Sequence, residues 1–120
     1  MDITDLHQFI GLAVASVFLA LSIWGLVSWI RNRDPGASFW RLLATGQVGL
    51  GLQVLVGAGL LLLRGGQPWL HYVYGIFPVL VLFVAHRSSK RFEGLEWAAF
   101  AVAGFFIFGL QLRGYMTGLA

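Results

Sequence analysis

"LHQFIGLAVASVFLALSIWGLVSWI" runs from Leu6 to Ile30 without one Asp, Glu, Lys or Arg. A helix rises about 1.5 Å per residue and the hydrocarbon core of a bilayer is about 30 Å thick, so about 20 such residues suffice to cross it. The stretch therefore reads as a transmembrane helix. Leu42–Leu63, Trp69–Ala85 and Gly94–Leu112 likewise contain no Lys or Arg. Expected helices cover about residues 5–30, 40–64, 69–89 and 94–113 of a single domain. Charged residues make up 11% of the 120-residue chain, against about 25% in a soluble domain, which excludes a mostly wet surface.

The basic residues give an orientation. "RNRDPGASFWR" holds Arg31, Arg33 and Arg41, and "HRSSKRFEG" holds Arg87, Lys90 and Arg91, while Arg64 and Arg113 lie on the other side. The positive-inside rule then places both termini outside the cytoplasm, in the cytoplasmic membrane of a prokaryote. Asp2 and Asp5 stand where a cleaved signal peptide has a basic region, so the first helix is expected to remain. Turn signals at Asp34-Pro35-Gly36 and Gly65–Pro68 make the loops short. Short loops join antiparallel neighbours, so the expected fold is an all-α integral membrane protein, an up-down-up-down four-helix transmembrane bundle. Trp24, Trp29, Trp40, Trp69 and Trp97 lie mostly near helix ends, as in interfacial aromatic belts. The basic residues form no patch, so the expected partner is the lipid membrane and not nucleic acid. The chain has no Cys, which removes disulfides, thiolate metal sites and thiol redox chemistry.

A weak internal two-fold repeat runs through the chain. "LHQFIG" (Leu6–Gly11) and "LHYVYG" (Leu70–Gly75) share the pattern Leu-His-x-x-x-Gly, and Leu63-Arg64-Gly65 matches Leu112-Arg113-Gly114. In the expected topology His7, His71, Arg64 and Arg113 gather near the outer face. Neutral imidazole is a good metal ligand. Helices 1 and 3 are diagonal in such a bundle, roughly 11–14 Å apart given 8–10 Å between neighbours, which suits a flat macrocycle standing edge-on between two imidazoles. The expected cofactor is one haem, with His7 and His71 as its metal ligands; the other reading is that each histidine is an interfacial polar residue. Gly11 and Gly75 lie one turn deeper on the same faces and would leave room for the ring. Arg64 and Arg113 would pair with the two propionates, or else simply end their helices and snorkel. Thr45, Gly49, Gln53 and Gly57 share one face of helix 2, a stripe that serves either the cofactor or helix packing. Gln53 and Gln47 are also candidates for interhelical hydrogen bonds, and Gln111 is near enough to the outer site to bond a propionate or an axial His. His86, at the opposite end, reads as interfacial.

The stretch Leu6–Ala85 resembles one half of the haem A synthase type of membrane bundle. The matching parts are His7, the Gln-x-x-x-Gly element "QVLVG" (Gln53–Gly57), Pro68 and His71. The resemblance implies His7 and His71 as axial ligands. Thr4 and Gln8 stand where that family has Glu and Arg, so what it implies is the haem cradle rather than the synthase reaction.

The expected function is therefore electron transfer by a small b-type membrane cytochrome or the cytochrome subunit of a redox complex. A redox protein or quinone, and a second copy in a homodimer, are its candidate partners. The alternative is a cofactor-free membrane scaffold or accessory subunit, supported by the Gly-rich helix 2 and by "GFFIFG" (Gly104–Gly109).

Overall fold

Each apolar segment folds as one helix: α1 (Ile3–Ile30), α2 (Ala37–Arg64), α3 (Trp69–Ser89) and α4 (Glu96–Gly118). The computed structural model describes residues 2–66 and 68–118, with the side chains of residues 64, 117 and 118 outside that description. All four helices are long and apolar enough to cross a membrane, and they pack as a bundle. The long axis of the molecule is 48 Å, enough to pass the hydrocarbon core and reach the headgroups on both sides.

The helix ends follow from local chemistry. Gly36 takes φ +85°, and its N–H donates to Asp34 Oδ1 at 2.8 Å before α2 begins. Gly65 stops α2 at φ +84°, a left-handed conformation that costs a glycine nothing sterically. Before α4, Gly94 is also left-handed at φ +82° and donates its N–H to Glu96 Oε1 at 3.1 Å. This cap starts α4 at Glu96, two residues later than the apolar run suggests, and the helix continues past Leu112 to Gly118.

The packing is uneven. α1 lies against α4 and α2, α3 lies against α4, α2 barely meets α3 or α4, and the backbones of α1 and α3 stay apart. The α1–α4 seam is the densest. Phe18, Leu21 and Ile107 are fully buried in it. A side chain at Gly104 would stand 2.9 Å from the Phe18 carbonyl oxygen, and one at Gly25 would collide with Ala101. Small residues thus let two membrane helices close on each other, where dispersion contacts rather than hydrophobicity must hold them.

The other contacts sort out the polar and aromatic residues. α2 meets α1 through Gly49, whose absent side chain is filled by Val14. That part of the small stripe is helix packing, whereas Thr45 is exposed and bonds the Arg41 carbonyl of its own helix at 3.0 Å. Trp97 departs from the expected aromatic belt: it is 4% exposed, packed into the core near Gly25. Gln47 does make an interhelical hydrogen bond, Oε1 lying 2.7 Å from His86 Nε2 on α3. His86 is otherwise exposed, with its ring edge-on to Phe100.

Candidate functional site

The two histidines come from helices whose backbones do not meet. His7 sits in the second turn of α1 and His71 in the first turn of α3. Each side chain reaches across the gap, and the imidazole centroids stand 6.1 Å apart with the rings inclined by 70°. A metal–imidazole bond is about 2.0 Å and a ring nitrogen lies roughly 1.2 Å from its centroid, so two imidazoles flanking one metal have centroids about 6.4 Å apart. An edge-to-face aromatic contact spans about 4.5–7 Å as well. The observed arrangement is such an edge-to-face contact, and its spacing is close to that of two imidazoles on one metal.

His71 has a defined tautomer. Its Nδ1 lies 2.9 Å from the carbonyl oxygen of Gly114 on α4. A carbonyl only accepts, so Nδ1 carries the proton and donates it, and the lone pair is on Nε2. This is the arrangement by which a ligating histidine is oriented through its second nitrogen. A side chain at Gly114 would meet Tyr74 Cβ at 3.5 Å, an ordinary contact, so the carbonyl and not the missing side chain is what Gly114 contributes.

His7 is held differently. Its ring packs on Gly57 of α2, where a side chain would stand 3.1 Å from His7 Cε1. One turn earlier on α2, the Gln53 amide packs on Gly11 of α1, its nitrogen 2.8 Å from where a side chain would begin. His7 and Gln53 thus interlock, each seated on a glycine of the opposite helix. The interlock is not closed by hydrogen bonds: His7 Nδ1 and Gln53 Oε1 are both buried without a partner. A buried unsatisfied polar group costs about 1–3 kcal/mol, so this is a place where something is still to be bonded.

Both histidines face one cavity of about 330 Å³, within the size range of small-molecule sites. Gly11, Gln53, Gly57, Gly75 and Gln111 line it with them. A side chain at Gly75 would meet nothing within 4 Å. The two glycines of the repeated hexad are therefore unequal. Gly75 leaves open space, as expected, while Gly11 makes room for Gln53. Gln111 is 6% exposed and lies on the cavity wall.

The arginines are less central. Arg113 is exposed, its guanidinium 5.8 Å from the ring centre of Tyr74, and it is not among the lining residues. Arg64 closes α2, and its side chain lies outside the described residues' side chains. Sequence reasoning missed Gly114 and Tyr74. Gly114 carries the signal in its place at the end of the repeated Leu-Arg-Gly, but the tripeptide alone does not say that its carbonyl faces a histidine.

Among the described residues no group of three or more His, Cys, Asp or Glu side chains is placed to hold a metal ion. The polar groups lining the cavity are two imidazoles, the amides of Gln8, Gln53 and Gln111, and the hydroxyl-bearing Thr4, Tyr72, Tyr74 and Tyr115. No family model, curated protein or solved structure matches this chain, so the site is read from its own residues.

Proposed function

We propose that this chain is a haem b-binding membrane protein that acts in electron transfer, with His7 and His71 as the axial ligands of one haem. The supporting observation is the pair of imidazoles at 6.1 Å, delivered by two helices whose backbones do not meet, with His71 Nδ1 bonded to the Gly114 carbonyl so that Nε2 is the nitrogen left to carry the lone pair. Two imidazoles, those of His7 and His71, are a pairing that favours electron transfer over oxygen chemistry. Bound there, the group would supply one-electron redox chemistry. His7 and His71 would hold it, Gly114 would orient His71, and the open space at Gly75 would admit the ring's edge. Arg113, at the end of its helix nearest the histidines, would meet a propionate, and Arg64 ends its helix at the same face.

Orientation and partners belong to the same proposal. With six of the eight basic residues in the 31–41 and 86–94 segments, the site lies at the extracytoplasmic face of a prokaryotic cytoplasmic membrane, in an up-down-up-down bundle with both termini outside. A redox protein or quinone reaches it from that face. The likeness to half of a haem A synthase bundle supports the cradle, not the synthase reaction. A second reading, a cofactor-free scaffold, draws on an apolar groove of about 1050 Å³ along α1, α3 and α4, which includes Phe105 and Phe106.

A reduced-minus-oxidised spectrum with a pyridine haemochrome assay on the purified protein separates the two. A low-spin b-type spectrum is expected. His7→Ala or His71→Ala leaves five-coordinate haem or none, and His86→Ala leaves the spectrum intact. Haem-free protein, or binding that depends on His86 and not on His7, overturns the proposal.

A further inference from the structure

The two ligand histidines are supported unequally. His71 donates Nδ1–H to a backbone carbonyl, Gly114 O, at 2.9 Å. His7 Nδ1 is buried with no partner, and so is Gln53 Oε1. One is a potential donor and the other an acceptor, and they belong to side chains already interlocked across the α1–α2 seam. His7 rests on Gly57 and Gln53 rests on Gly11, and in each helix the glycine is four residues after the polar residue. Four residues is about one helical turn, so the imidazole and the amide sit on facing ridges one turn apart.

We infer that Gln53 is the positioning residue of His7: in the haem-loaded protein its Oε1 accepts the Nδ1–H of His7, as Gly114 O accepts that of His71. The inference rests on the haem reading above. Its motive is the simplest satisfaction of two orphaned buried groups by each other. The Gln53 amide is the far end of a flexible side chain packed on a glycine, Gly11, and the bond requires its torsions to turn Oε1 toward His7. The bond would fix the His7 tautomer with its lone pair on Nε2, the atom required of a ligand, and would raise the basicity of that nitrogen. Both axial imidazoles would then be of one tautomer, one set by the main chain and one by a side chain. Only the His7 side can be tuned by substitution, since a backbone carbonyl cannot be replaced by mutation.

The test uses haem-loaded full-length protein carrying Gln53→Met, which keeps size and removes the acceptor, and Gln53→Glu, which strengthens it. A stronger acceptor on Nδ1–H makes the imidazole a better donor to iron and favours the oxidised state. Gln53→Met should therefore raise the midpoint potential and weaken haem affinity about 10–100-fold, the usual cost of losing such a partner. Gln53→Glu should lower the potential while retaining haem. A merely structural role for Gln53 gives shifts of the same sign, since loosening the seam exposes the site to water in both variants. Same-sign shifts, or a wild-type potential in either variant, overturn the inference while the haem reading stands. Wild-type protein that takes up no haem under reconstitution overturns both.

Discussion

At the level of single residues, the cavity separates glycines by what their missing side chain faces. Gly75 faces open space, so Gly75→Leu should project into the cavity without disturbing the helices. The expected outcome is a bundle of wild-type thermal stability that binds little or no haem. Normal haem content in this variant would show that the ring does not pass Gly75. Gly11→Leu is a different experiment, because its side chain would meet Gln53 at once. The Gln53 atom it meets is the far end of a flexible side chain, so the cost in stability should stay at the low end of overpacking, about 1 kcal/mol. The hexad Leu-His-x-x-x-Gly made both histidines legible from the sequence, and its four-residue spacing put each glycine on the correct face. It could not distinguish Gly11 from Gly75, because what fills the space belongs to another helix. The same limit hid Gly114, whose contribution is a carbonyl and leaves no side-chain signature. Arg113 is a third case. It is exposed, so its charge is screened, and Arg113→Gln should lower the midpoint potential by only some tens of mV, with about 59 mV equal to a tenfold change for one electron. The sign follows because removing a cation disfavours adding an electron. An unchanged potential would make Arg113 a helix terminator resting on Tyr74.

At the level of elements, four apolar runs and three loops were legible because a membrane span needs only length and freedom from charge. Which helices press together was not, since lipid-facing and helix-facing surfaces are equally apolar. The seams are read instead from small residues in three dimensions. Gly104 and Gly25 close α4 on α1, whereas the Phe105 and Phe106 side chains beside Gly104 are more than half exposed. Gly104→Leu should therefore separate α1 from α4 and destabilise the bundle far more than Phe105→Leu, which changes an exposed position. Thermal unfolding in detergent compares the two. Equal effects would mean that the seam does not hold the bundle together. Trp97 illustrates the same point from the other side. An aromatic residue at a helix start reads as interfacial, yet here it fills the space over Gly25 and Ala101.

At the level of the whole molecule, the helices form a chain of contacts and not a closed ring. α2 leans on α1, α1 on α4 and α4 on α3, while the α2–α3 side is nearly open. Across that side the bundle has the Gln47–His86 hydrogen bond at one end. At the other end the two imidazoles meet over the cavity, without backbone contact between their helices. A ligand held by His7 and His71 ties α1 to α3 directly and so supplies a link that the protein alone makes weakly. Anything that binds the folded state and not the unfolded one stabilises it by RT ln(1 + [L]/Kd), about 4 kcal/mol when the ligand is a thousandfold above its Kd. Haem loading should accordingly raise the unfolding temperature of the detergent-solubilised protein by several degrees, a few kcal/mol in a domain of this size. His7→Ala should abolish most of that rise while altering the unloaded protein little, because His7 leaves its Nδ1 unbonded there. His86→Ala should do the reverse, lowering the stability of the unloaded protein through the lost α2–α3 bond and leaving the haem-dependent increment intact. Should haem raise the unfolding temperature of the His7→Ala variant as much as that of the wild type, the link between α1 and α3 would not run through His7, and the open side of the bundle would have to be closed by other means.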